Sequence, residues 1–266
     1  MKMTGNTVLI TGGATGIGLA FAERFLRRDN QVIIVGRREE KLMEAKEKFP
    51  ELVTRVCDVS NGTDRVALYK WVMSDYPDLN VLVNNAGIQQ RANLTSSLNW
   101  STYENEININ FHGPVHLIML FTQHLVKQKD SAIINVSSGL ALTPGVWVPV
   151  YSATKAAIHS FTQSLRLQLQ ESDVQVIEVF PPAVNTDLGG VGLHTFGAPL
   201  HDFADELFLG LENGEDEIGY GGSKDRIRAS RDELDQGTKQ AWENFKRNNP
   251  NFYLHNMKES TKIEQP

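Results

Sequence analysis

Short runs of aliphatic and β-branched residues alternate along the chain with longer stretches of helical period. TVLIT (7–11), QVIIV (31–35), LVTRVC (52–57), NVLVNN (80–85), AIINVSS (132–138) and VQVIEVF (174–180) read as strands. Between them, GLAFAERFLRR (18–28), EEKLMEAKEKF (39–49), TDRVALYKWVMSDY (63–76) and the long stretches 101–129 and 152–171 repeat apolar residues every three to four positions. Such alternation predicts right-handed βαβ units and an α/β domain whose parallel sheet is covered on both faces. DEIGY (216–220) adds a seventh, weaker strand at an edge. The glycine-rich stretch TDLGGVGLHTFGAPL (186–200) breaks the pattern and reads as a mobile loop beside the sixth strand. Beyond residue 236 the chain turns polar, with one amphipathic helix carrying Trp242 and Phe245 and then a fraying tail. The aromatic residues of NNPNFYLHN (248–256) leave docking on a neighbouring subunit as the alternative. The division is therefore one α/β domain over 1–236, which includes a loop near 186–212, and a polar helix and tail over 237–266.

Composition narrows the class. The chain has 266 residues, 41% hydrophobic and 22% charged, with a formal charge of −6, which fits a soluble globular protein and argues against nucleic-acid binding. One cysteine, Cys57, allows no internal disulfide and fits a reducing, cytoplasmic setting. The N-terminus lacks the apolar core of a signal peptide, and VHLIMLFTQHLV (115–126) is too short to span a bilayer. Seven scattered histidines and a lone cysteine make no metal pattern.

The first strand runs into TGGATGIG (11–18). Gly12 allows a tight turn, Gly16 lets the backbone approach a pyrophosphate, and Gly18 lets the next helix pack closely on the sheet. The helix N-terminus then offers free N–H groups to an anion. At the end of the second strand, where an NAD enzyme keeps a carboxylate for the ribose, this chain has Gly36, Arg37 and Arg38. Two arginines oppose the macrodipole of a starting helix unless an anion sits there, so NADP(H) is expected over NAD(H), with a 2′-phosphate against Arg37 and Arg38. Asp58, ending the third strand, is placed either for the adenine amino group or for a turn.

Tyr151 and Lys155 stand four apart in VPVYSATKAA (148–157), on one face of a helix. An ammonium beside a phenol lowers the phenol's pKa and makes it an acid–base group near neutrality. Ser138 ends the fifth strand at the carboxyl edge, where open α/β sheets bind ligands, and can polarise a carbonyl there. In NNAG (84–87), Asn84 is expected to fix neighbouring strands while Ala86 and Gly87 leave room for the cofactor. Asn110 sits inside a helical stretch, a place that makes sense if it holds a water in line with Lys155.

TGGATGIG, NNAG, Asn110, Ser138 and YSATK, in this order and spacing, resemble the short-chain dehydrogenase/reductase family over about residues 5 to 225. The resemblance implies a single doubly wound Rossmann domain with seven parallel strands. It also implies a catalytic Asn110–Ser138–Tyr151–Lys155 set, and hydride transfer between a nicotinamide and an aldehyde, ketone or alcohol. Cofactor contacts carried over are Thr15, Ile17, Val59, Asn85, Pro181, Val184 and Thr186, with Tyr151 and Lys155 on the nicotinamide ribose. The helices 101–129 and 152–171 resemble those through which members form homodimers or homotetramers. FPPAVNT departs from the family's Pro-Gly and predicts a stiffer loop at Pro182. GRREEKL, LGGVGLHTFGAPL, EIGYG and this PPAVNT resemble the narrower DltE-type oxidoreductases. Residues 140–148 and 188–200 are expected to enclose an apolar substrate through Trp147, Leu193 and Phe196, with His194 near a polar group. An NADP(H)-binding regulator without turnover is the competing class, but all four catalytic positions are filled.

Overall fold

The computed structural model describes residues 1–252. Seven strands form one sheet: β1 (Thr7–Thr11), β2 (Gln31–Gly36), β3 (Val53–Val56), β4 (Leu79–Asn84), β5 (Ala132–Val136), β6 (Gln175–Phe180) and β7 (Glu217–Gly219). Their order is β3-β2-β1-β4-β5-β6-β7 and every pair is parallel. The winding reverses between β1 and β4, which opens a crevice at the carboxyl edge.

Side-chain alternation builds a core on each face. From β1, Val8 and Ile10 go to one side, with Phe21, Phe25, Phe203 and Phe208, while Leu9 goes to the other, with Leu68, Leu117 and Phe121. The first side is covered by α1 (Gly16–Leu26), α2 (Glu39–Lys48) and α7 (Leu200–Glu212), the second by α3 (Gly62–Asp75), α5 (Gly113–Leu125) and α6 (Pro149–Gln168). A short α4 (Trp100–Ile107) precedes α5, and α8 (Gly222–Arg226) and α9 (Arg231–Asn248) close the described chain. No helix among the described residues is long and apolar enough to cross a membrane.

Three expectations change. The stretch 101–129 is not one helix: a π-helical turn, Asn108–His112, separates α4 from α5. There Gly113 lies so close to β3's loop that a Cβ would stand 3.0 Å from the Val59 carbonyl oxygen, and the widened turn carries Asn110 into the site. The second half of the substrate-side loop, 200–212, is α7, whose Phe203, Leu207 and Phe208 are buried against α1. Finally, the boundary at 236/237 falls inside α9, which starts at a Ser230–Glu233 capping box. At its end Phe245 is buried, and Phe252 packs edge-on against it at 5.1 Å within the same chain. Tyr253 and the rest of the tail lie outside the described residues.

Candidate active site

β1 ends at Thr11 and the chain turns at Gly12, whose φ of +64° is the left-handed region that glycine adopts freely. Gly18 is required by contact instead, because a Cβ there would stand 2.2 Å from the Gly12 carbonyl oxygen. Asn85 stitches this loop to the one after β4. Its Nδ2 donates to the Thr11 and Gly12 carbonyls (3.0 and 3.2 Å), and Thr11 Oγ1 accepts from the Asn85 and Ala86 N–H groups (3.0 and 3.1 Å). Asn85 thus holds the β1 side of the crevice, while Asn84, expected to fix neighbouring strands, links β4 to β5. Asn84 lies within the sheet and donates from Nδ2 to Asn135 Oδ1 (2.9 Å).

The residues around the turn fit a dinucleotide. Thr15 caps α1 without a side-chain hydrogen bond, and no acidic residue occupies the helix's first turn, so its leading N–H groups face an anion unopposed. Ile17 packs against the core behind them and Gly16 faces Thr186, whose Cγ2 is 3.4 Å from a Cβ built at Gly16. Arg37 and Arg38 are exposed past β2. The ion pair on α2 is Lys41–Glu44 (2.7 Å), and neither arginine is in an ion pair among the described residues. Asp58 uses Oδ1 to hold a turn, accepting from the Ser60 N–H (2.9 Å) and hydroxyl (2.8 Å). Val59 is buried beside it and accepts from Arg65 through its carbonyl.

The four residues expected to act together converge at the carboxyl edge. Ser138, just past β5, accepts from the Leu140 N–H (3.1 Å) and lies close enough to the Tyr151 hydroxyl to lower its pKa. Pro149 starts α6, Tyr151 stands in its first turn, and Lys155 follows one turn on. Lys155 Nζ donates to the Val136 carbonyl (2.8 Å) and lies 5.5 Å from the centre of the Tyr151 ring. A Cβ on Gly87 would stand 3.3 Å from Asn110 Oδ1 and 3.7 Å from Lys155 Nζ, so the NNAG turn passes between them because it has no side chain there. The Asn110 side chain, expected to hold water, is occupied by protein. Oδ1 accepts from the Ile88 N–H (2.9 Å), and Nδ2 donates to the Ile88 carbonyl (2.9 Å) and to Thr154 Oγ1 (3.3 Å).

The electrostatics differ from a phenol tuned down by its lysine. Burial pushes the Tyr151 phenol well above its ordinary value, the Ser138 hydroxyl pulls it partly back, and the charge of Glu106 raises it. Lys155 is itself drawn down to about 8 by burial, against the pull of Glu178 and Glu106. Both carboxylates are wholly buried and were not picked out from sequence. Glu178 stands in register with Asn135, which stands in register with Asn84, so a polar row crosses β4, β5 and β6. Glu178 Oε2 meets His159 Nδ1 at 2.9 Å, and that bond raises the His159 pKa. The Cys57 thiol is pushed by burial to about 12, an inert side chain.

The substrate side is walled differently from expectation. Val184 bridges to Ala198, and Ala198 N–H donates to the Ala183 carbonyl (2.8 Å), pinching the loop 186–200 at its base. Pro181 accepts from the Gly139 N–H (2.9 Å) and ties β6 to the Ser138 turn. Phe196 is 78% exposed and Leu193 41%, at the loop's tip. His194 is half-buried there, its Nδ1 has no partner, and burial lowers its pKa. Trp147 gives its face to the chain itself, stacking on Phe245 of α9 with centroids 4.6 Å apart and planes 3° from parallel. Arg91 lies over the same Phe245 ring at 5.6 Å.

Comparison with known proteins gives a consistent answer. Residues 6–191 match the short chain dehydrogenase family model. The chain is 47% identical over 243 residues to an uncharacterized oxidoreductase, DltE, of Bacillus subtilis, covering 88% of this chain and 96% of that one. It is 30% identical over 178 residues to the NADP-dependent 3-hydroxy acid dehydrogenase YdfG of Salmonella typhi, covering 66% of this chain and 72% of that one. A short chain dehydrogenase from Burkholderia cenocepacia, solved in complex with NADP, superposes with a TM-score of 0.78 at 25% identity, over 90% of this chain and 99% of that one.

Proposed function

Because this chain belongs to the short-chain dehydrogenase/reductase family, as an oxidoreductase of the DltE type, we propose that it moves a hydride between NADP(H) and a small carbonyl compound or the matching alcohol, with Tyr151 as the acid and base. The nicotinamide, when bound, supplies or accepts the hydride. The uncapped N-terminus of α1, with Gly12, Gly16 and Gly18, would hold the pyrophosphate, and Arg37 and Arg38 would hold the 2′-phosphate. Ala86, Gly87, Val184 and Thr186 would border the nicotinamide end. Ser138 orients the substrate oxygen toward Tyr151, which gives that oxygen a proton in reduction and takes it back in oxidation. Lys155 keeps a positive charge beneath the reacting groups, and Asn110 keeps the loop after β4 in place through Ile88.

One observation carries the reading: Ser138, Tyr151 and Lys155 meet at the carboxyl edge, Ser138 near enough to lower the Tyr151 pKa and Lys155 Nζ 5.5 Å from the centre of the Tyr151 ring, one helical turn on. Tyr151→Phe is expected to bind NADPH as the parent does and to lose at least about a hundredfold in turnover, the scale of a missing general acid. Cofactor fluorescence and NADPH oxidation against a panel of aldehydes, ketones and diketones measure the two separately. Near-parental turnover in the variant ends the assignment.

A homodimer or homotetramer is part of the same proposal. Leu94, Trp100 and Met119 are exposed, and Ile107, Phe111, Pro149 and Ala153 line an apolar groove beside α4 and α6, a surface that suits a second copy. The buried thiol of Cys57 is in keeping with a cytoplasmic setting.

A further inference from the structure

Glu106 has no place in the reaction as derived so far, yet it is a wholly buried carboxyl group beside the reacting residues. It lies on α4, one turn before the π-helical segment that carries Asn110. The two side chains grip the same piece of chain. Asn110 holds both polar groups of the Ile88 backbone, and Glu106 Oε1 accepts from the Gln90 N–H at 2.9 Å. That piece follows directly on Gly87, the position where Asn110 and Lys155 close in. The second oxygen, Oε2, is buried with no hydrogen-bond partner. A purely structural peg needs one acceptor, and an amide would supply it. A fully buried carboxyl with a spare oxygen is costly unless nearby charge uses it.

We propose that Glu106 is a positioning residue of the site, whose buried negative charge acts through Tyr151 and Lys155 to keep their protons in place and so sets the pH above which Tyr151 serves as a base. The proposal rests on the oxidoreductase reading above. The groups that face Glu106 are Tyr103 on its own helix, Tyr151 and Lys155 on α6, and the Gln90 N–H. Its charge raises Tyr103, Tyr151 and Lys155 alike. Burial in turn raises Glu106 to about 7, against the Gln90 hydrogen bond and the Lys155 charge. The sign follows. Above pH 7 the carboxylate is charged, the phenol holds its proton more tightly, and a base for alcohol oxidation appears only at higher pH. Below pH 7 the carboxyl is neutral and its hold on the phenol proton fades.

Glu106→Gln tests this, since the amide oxygen keeps the bond to Gln90 and only the charge is lost. The dependence of kcat/KM on pH for alcohol oxidation is measured in parent and variant with NADP. The acid limb of the variant is expected to lie lower by about half a unit or more, while the two profiles approach each other toward pH 6. Infrared difference spectra of the parent between low and high pH, which need neither substrate nor variant, are expected to show a protonated carboxyl that disappears as pH rises through about 7. A limb that stays in place while kcat falls uniformly overturns the proposal and leaves Glu106 as a peg for Gln90. So does the lack of a titrating carboxyl in the infrared, a readout that also decides the matter if the variant folds poorly. A parent that turns over no carbonyl or alcohol fails the oxidoreductase reading first, and this inference falls with it.

Discussion

A lone arginine pair shows how far a single residue type reaches. Arg37 and Arg38 stand exposed and without ion pairs among the described residues, at the end of β2, where a ribose phosphate would meet them. Replacing both by glutamine is expected to weaken NADPH by about ten- to a hundredfold, the loss of one or two hydrogen bonds to a charged group, and to leave NADH unchanged. Isothermal titration with both cofactors reads the ratio, and an equal loss for the two would assign the arginines to the surface. At this scale sequence was a good guide wherever the requirement is local. The positive φ of Gly12 and the i, i+4 spacing of Tyr151 and Lys155 are properties of adjacent residues. It was a poor guide for Asn85 and Glu106, whose partners lie far along the chain, and for the Tyr151 pKa, which burial raises above all.

Among the elements, α9 departs most from expectation. It begins at Ser230, whose side chain accepts from the Glu233 N–H while Glu233 returns a bond to the Ser230 N–H. That Ser-x-x-Glu signal stands in the sequence ahead of the change in composition after 236. Its docking was not readable: Phe245 lands on Trp147 and under Arg91, residues from two separate loops. Phe245→Ala is expected to lower stability by about 3 kcal/mol, the low end for truncating a buried aromatic ring, and to loosen the loop that carries Trp147. Urea unfolding and KM for carbonyl substrates check it, and an unchanged midpoint would mean that α9 merely rests on the surface. The π-helical turn has the same lesson. Helical periodicity runs through 101–129 without a break, whereas the folded chain widens over Asn108–His112, just before Gly113 comes close to the Val59 carbonyl.

At the level of the whole molecule, the exposed Trp100 (62%) and Met119 (65%) are large apolar side chains on adjoining helices. If they meet a second copy, the parent sediments as a dimer or tetramer, and Trp100→Glu combined with Met119→Glu sediments as a monomer that keeps its circular dichroism. A monomeric parent would remove oligomerisation from the proposal.

The sequence by itself determined the alternation of strand and helix, the family and the glycine turn. Each of these is written in residues close together, as periodicity, backbone freedom or fixed spacing. The tertiary structure alone decided which groups share the low-dielectric interior with Tyr151. Burial and charge act through space, and they bring Glu106 from α4 and Ser138 from the end of β5 to one phenol, a meeting that no local pattern along the chain encodes.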